Sequence, residues 1–115
     1  MAITSKLIGK LGGADVEVIP VSDATASGAK GSKTVLHTVQ VSAGETWLVA
    51  VVGTATAENT YVENYPLMNI GDVVGNLKDV GGVSAVVTRS AEVAFTRQVG
   101  YGTDRFTGHI YAVKL

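Results

Sequence analysis

The chain has 115 residues, 46% apolar and 17% charged, with 14 glycines, 2 prolines, no cysteine and a net charge of -1. This length and apolar content fit one domain that folds from its own core, and they exclude a disordered chain, a disulfide scaffold, thiolate metal sites and a cysteine nucleophile. The near-neutral charge supplies no electrostatic drive toward nucleic acid or an anionic membrane.

The N-terminus lacks the apolar run and cleavage site of a signal peptide, and no stretch approaches the ~18 apolar residues that span a bilayer. A soluble protein made in a cytoplasm is therefore expected. Charges are sparse for a surface of this size. Either another chain covers part of that surface, or Ser and Thr keep it soluble.

Residues 1–13 read as an N-terminal arm or an edge strand, ahead of a single β-sandwich domain over 14–115. Ile3, Leu7 and Leu11 would share a helical face, but Gly9 and the Gly12-Gly13 pair oppose a helix. An apolar arm carrying Ile3, Leu7 and Ile8 is suited to pairing with the sheet of a neighbouring subunit. Residues 14–21 alternate, with Asp15 and Glu17 on one side and Val16 and Val18 on the other. Pro20 has no N–H to give a ladder, so this strand ends there or lies at a sheet edge. Residues 22–33, built from small and polar side chains, read as a loop.

Residues 34–41 are a predicted strand with Val35, His37, Val39 and Val41 on one face. A turn at 42–45 joins it to 45–56 in a predicted hairpin. The stretch 45–56 is the most apolar in the chain and holds its single tryptophan. Trp47, Val49 and Val51 lie on one face, and Leu48, Ala50 and Val52 on the other. Two apolar faces ask for cover on both sides, as for a central strand of a two-layer sandwich. The β-branched residues and the flanking Gly44 and Gly53 favour a strand over a buried helix.

Further strands are predicted at 60–66, 73–78 and 83–88, with Gly75 marking a bulge. Residues 91–99 place Ala91, Val93, Phe95, Arg97 and Val99 on one side. Residues 105–115 place Phe106, Ile110 and Ala112 on one face and Thr107, His109, Tyr111 and Val113 on the other. With a loop at 100–104, these two strands are predicted to close the chain as a hairpin. Asp72, Asp79 and Asp104 fall in predicted turns. Short strands with turns roughly every 8–12 residues, and no helical stretch, indicate an all-β antiparallel sandwich, jelly-roll or immunoglobulin-like.

No motif in this chain specifies a chemistry. His37 and His109 have no second ligand at metal-binding spacing, and a ring that packs or bonds locally is the expected role of each. Residues 28–34 approach a phosphate-binding loop, but Ser27 and Ser32 stand where the pattern needs glycine, and a strand follows instead of a helix. The Gly100-Tyr-Gly102 run lacks the third glycine and the helix of a dinucleotide fingerprint. No Ser sits in a nucleophile elbow, and no acidic run has calcium-loop spacing. No enzyme, cofactor or metal is therefore expected. Among the aromatics, Trp47 belongs in the core, while Tyr61, Tyr65 and Tyr101 are either ordinary sheet tyrosines or contact residues for a sugar or protein partner.

The start Met-Ala-Ile-Thr-Ser-Lys, the Val, Ala, Thr and Gly-rich short strands, the lack of cysteine and the closing stretch Phe106-Thr-Gly-His-Ile-Tyr-Ala-Val113 resemble small structural proteins of tailed-bacteriophage virions. The resemblance is one of texture over the whole chain and carries over no functional residue. It implies a head decoration (cement) protein on the outer capsid surface, bound to the major capsid protein and to itself as a homotrimer. The alternative it implies is a β-sandwich knob of a tail fibre that recognises a host glycan or protein. The arm residues Ile3, Leu7 and Ile8 would serve the first role, and Tyr61, Tyr65 and Tyr101 the second.

Overall fold

The computed structural model describes residues 16–29, 31–57, 66–76, 82–97 and 103–115. These contain eight strands and no helix: β1 (Val16–Ser27), β2 (Lys33–Val39), β3 (Trp47–Ala57), β4 (Leu67–Ile70), β5 (Val73–Asn76), β6 (Gly82–Val87), β7 (Ala91–Thr96) and β8 (Thr103–Lys114). The arm over 1–13 and all but the last residue of the strand expected at 60–66 lie outside the described residues.

The strands form two four-stranded sheets, ordered β1-β8-β3-β6 (sheet A) and β2-β7-β4-β5 (sheet B). The ladders β1–β8, β2–β7, β3–β6 and β4–β5 are all antiparallel and nest inside one another. A folded ribbon of four such pairs, rolled so that alternate pairs fall in opposite layers, is a jelly-roll. Of the two predicted sandwich topologies, the strand order is therefore the jelly-roll one. The tight local hairpin is β4–β5, with Ile70 opposite Val73 and Gly71 at φ +58° between them. A two-residue loop needs such a positive φ at its first position, and glycine adopts it without steric cost.

Two predicted hairpins are overturned by this nesting. Residues 34–41 and 45–56 do not pair: β2 lies beside β7 in sheet B, and β3 lies between β6 and β8 in sheet A. Likewise β7 and β8 are consecutive but belong to opposite layers. In each case consecutive strands lie in opposite layers of the sandwich. The loop expected over 22–33 is also shortened, because β1 continues to Ser27. It passes through Pro20, opposite His109, because β1 is an edge strand whose missing N–H is not needed by a neighbour. The ladder shifts register between Val21 and Ala24, where Asp23 adopts φ +50°. Asp23 is held there by its N–H donating to Thr107 Oγ1 (3.0 Å) and by Arg105 Nη1 at 2.9 Å from its carboxylate. Gly75, by contrast, pairs regularly with Met68, so no bulge marks it. Its bare Cα leaves room for Val83 of the opposite layer, whose Cγ1 would lie 3.0 Å from a Cβ built there.

Between the layers lies an apolar core. Trp47, Val49, Val51, Phe106, Ile110 and Ala112 come from sheet A, and Val39, Met68, Ile70, Val93 and Phe95 from sheet B. Phe95 and Phe106 meet across the layers with ring centroids 5.8 Å apart. On one side the sheet edges are closed by polar contacts between β1 and β2. Glu17 Oε2 lies 3.1 Å from His37 Nε2, and Thr34 Oγ1 donates to Thr25 O at 2.6 Å. His37 thus makes the kind of local contact expected of it.

Gly53 and Gly108 face each other across β3–β8 beneath the Phe106 ring. A Cβ built on either glycine would lie 2.7 Å from the other's Cα and 2.9 Å from Phe106. No real Cβ tolerates such approaches, so the strands or the ring must shift. Gly108→Ala is expected to lower stability by about 1–3 kcal/mol, read as a lower denaturation midpoint with the far-ultraviolet β signature retained. An unchanged midpoint would show that the ladder yields there freely.

Candidate functional site

Alternation along the strands fixes what each sheet shows to solvent. In sheet A the inward residues are those of the core, so Leu48, Ala50 and Val52 of β3, His109, Tyr111 and Val113 of β8, Val16, Val18 and Pro20 of β1, and Gly82, Ser84 and Val86 of β6 face outward. Register aligns them into three cross-strand rows: Val16–Val113–Leu48–Val86, Val18–Tyr111–Ala50–Ser84 and Pro20–His109–Val52–Gly82. None of these positions carries Asp, Glu, Lys or Arg. Val18, Val52 and Val86 are about half exposed, and the His109 and Tyr111 rings stack with centroids 6.0 Å apart. The expected two-sided cover of the central strand is thus corrected. One face of β3 packs in the core, while the other is apolar and open at Val52.

A concavity of about 610 Å³ lies at the rim of sheet B near the β4–β5 and β6–β7 connections. Its charged walls pair among themselves: Lys33 Nζ lies 3.3 Å from Glu92 Oε1, and Arg89 Nη2 lies 3.3 Å from Asp72 Oδ2. Asn69 Oδ1 is buried in its floor without a hydrogen-bond partner among the described residues, while Asn69 Nδ2 donates to Thr96 Oγ1 at 3.0 Å. Ser90 Oγ accepts from Val41 N–H at 2.9 Å, and neither histidine lines this cleft. Among the described residues no three His, Cys, Asp or Glu side chains gather to hold a metal ion.

The charged pair with the deepest burial is structural. Arg97, just past β7, and Asp104 of β8 are fully buried, with Nη1 to Oδ1 at 3.5 Å, and Arg97 Nη1 also reaches Ala26 O of β1 at 3.4 Å. The Arg97 backbone is clamped by Gly31 N–H on its carbonyl (3.1 Å) and by its own N–H on Ser32 O (2.9 Å). Alternation placed Arg97 on one side with Phe95, and that side proves to be the buried one; the turn expected at Asp104 is instead a buried strand position.

At the other end, the turn into β3 is held by Glu45. Its carboxylate accepts from Ser42 N–H (2.9 Å) and from Trp47 Nε1 (3.3 Å), and Lys114 Nζ lies 3.2 Å away. The Ser42 hydrogen bond first, then those to Trp47 and Lys114, hold the Glu45 carboxyl below its ordinary value. Trp47 is buried, as expected, with its indole N–H satisfied at this turn.

The expected contact residues Ile3, Leu7, Ile8, Tyr61, Tyr65 and Tyr101 all lie outside the described residues, so the structure brings none of them to a site. The open face of sheet A was not among the expected contact surfaces. Its signal was present in the apolar Leu48, Ala50 and Val52 face, which was read as a face needing cover inside the fold. No family model matches the chain, and neither a curated protein nor a solved structure matches it significantly.

Asp104→Asn leaves the Arg97 charge buried against a neutral amide and is expected to cost about 3–5 kcal/mol, whereas Arg97→Met with Asp104→Leu together should recover most of that loss. Guanidinium unfolding midpoints of the three chains test this; a single variant as stable as the parent would refute it. Because the Glu45 pKa is depressed on folding, its contribution is present above the unfolded value and is lost as pH falls through the folded one. Glu45→Gln should therefore flatten the acid limb of the stability–pH curve below the ordinary glutamate range, and leave its neutral-to-alkaline shape unchanged.

Proposed function

We propose that this protein is a structural component of a tailed-phage particle, a decoration protein that binds the outer capsid lattice through the major capsid protein. The single observation that carries this reading is the outer face of sheet A, whose three cross-strand rows around Val18, Ala50, Val52 and Tyr111 carry no charged side chain, on a jelly-roll. Such a face binds by excluding water from apolar area and needs no catalytic group. Jelly-rolls recur in capsid proteins, but also in lectins and cupins, so the fold is in keeping with a virion role and does not single it out.

Magnitude favours repeated binding over a lone complex. Four strands about 4.8 Å apart, with about six residues each at about 3.3 Å, present roughly 300–400 Å². A stable pairwise interface needs about 800 Å² per partner. One face of one copy is therefore too small, while a homotrimer on a lattice engages several such faces at once and gains by effective concentration. The charge-poor composition fits a protein whose surface is partly covered in its assembly.

Quantitative mass spectrometry of purified particles tests the reading. Copies in the hundreds support capsid decoration. A few to tens of copies transfer the protein to the tail-fibre alternative, and absence from particles ends both. Val18→Glu with Val52→Glu is expected to abolish co-sedimentation with capsids while shifting stability by no more than about 0.5 kcal/mol per site, as for other exposed positions. Retained binding would remove the sheet A face from the proposal.

A further inference from the structure

The rim cleft of sheet B holds polar groups that the fold itself does not use up. Asn69 stands between Met68 and Ile70, both buried in the core, so its side chain is on the outer face of sheet B, beside Ala94 of β7 and Val74 of β5. Its carboxamide is half satisfied. Nδ2 donates to Thr96 Oγ1, while Oδ1 is buried with no hydrogen-bond partner among the described residues. Native proteins leave few buried acceptors unpaired, and each exception asks for a cause. Lys33 runs close by. It pairs with Thr96 in the ladder, yet its Nζ reaches Glu92, so its stem follows β7 past Ala94, the register partner of Asn69. Such a stem covers the surface below while its head stays in water. The Lys33–Glu92 pair is about half exposed, and an ion pair of that kind contributes little to stability. Lifting the Lys33 side chain to uncover Asn69 Oδ1 therefore costs little.

The walls select the charge of a ligand. Lys33 sits against Glu92, and Arg89 against Asp72, so these four charges cancel. An anion entering between them meets carboxylates as closely as cations, and a cation meets the converse. A neutral ligand suffers neither repulsion. Among the described residues each pair uses one carboxylate oxygen, so Glu92 Oε2 and Asp72 Oδ1 remain as acceptors beside the remaining N–H donors of Lys33 and Arg89. A donor and an acceptor side by side match two neighbouring hydroxyls of a sugar, one accepting and the other donating. Val73 and Val86 line the same cleft, 43% and 49% exposed, and offer apolar surface to the C–H face of a sugar ring. The volume of about 610 Å³ falls within the ~300–1,000 Å³ of small-molecule sites, and a zwitterion of amino-acid size leaves most of it unfilled.

We propose that the rim cleft of sheet B binds a neutral saccharide between the Lys33–Glu92 and Arg89–Asp72 pairs, with a sugar hydroxyl donating to Asn69 Oδ1. The site is separate from the outer face of sheet A, and the inference does not rest on the virion reading. Sugar binding here leaves the choice between capsid and tail fibre to copy number.

The full chain, biotinylated and displayed on streptavidin, is applied to a printed array of neutral and acidic glycans. The sugar retained is then titrated into the ¹⁵N-labelled full chain, with glycine betaine and inorganic phosphate as comparison ligands. At least one neutral glycan should be retained, and its titration should give saturable shifts at the Asn69 carboxamide and at the Gly71 and Ser90 amides. Asn69→Ala should weaken that binding about tenfold or more, as the loss of a buried hydrogen bond does. Should that variant not fold, Asp72→Ala, at a side chain 94% exposed, serves with the same expectation. Retention of acidic glycans alone, or of none, overturns the proposal. So do saturable shifts with betaine or phosphate but not with the sugar, sugar shifts confined to the Val18 and Val52 amides of sheet A, or unchanged affinity in the folded variants.

Discussion

Phe95 and Phe106 are close in sequence, both fully buried, and 5.8 Å apart between ring centroids on opposite layers. That contact obliges the chain to leave sheet B after β7 and enter sheet A as β8. If β7 and β8 paired as a hairpin, their apolar faces would lie side by side on one sheet, and a second layer would have to come from elsewhere. Because they face each other instead, burial of the rings and sandwich formation are the same event. The nested ladders follow, with β8 filling the slot between β1 and β3. The glycine pair at 53 and 108 lets those strands meet tightly under the Phe106 ring.

Nested pairing has a kinetic side. Val16 pairs with Val113 and Lys33 with Thr96, so most ladders join residues from opposite halves of the chain. Loop-closure entropy is met before such contacts reward it, which places this topology among slow-folding ones. The β4–β5 hairpin is the local exception. The Arg97–Asp104 pair sits where β1 ends and β8 begins, and it fixes which backbone the ribbon closes on. A charge pair at full burial adds little net stability compared with apolar replacements, but each member makes mispairing of the other costly.

The two sheets divide the labour of the surface. Sheet B shows paired charges around its rim cleft, with Lys33–Glu92 and Arg89–Asp72 largely neutralising one another. Sheet A shows three cross-strand rows without a charged side chain, exposed at Val18, Val52 and Val86 and buried at Leu48 and Val113, with the Arg105–Asp23 pair beyond them.

Local periodicity settled much on its own. The strand at 45–56 and the shared faces of Trp47, Val49 and Val51, of Phe95 and Arg97, and of Phe106, Ile110 and Ala112 all follow from the two-residue repeat of a strand, which is written in adjacent residues. An edge strand was one of the two readings that Pro20 left open. Pairing partners were not legible, because a turn such as 42–45 has the same composition whether it returns the chain to its own sheet or carries it to the other layer. The buried role of Asp104 was hidden for a related reason: Arg97, which also donates to the Ala26 carbonyl, is brought to it only when three strand ends converge. Whether the second apolar face of β3 is covered or open was decided only by the tertiary arrangement. Amphipathic pattern tells that a face is apolar, while the position of the other layer tells what, if anything, lies against it.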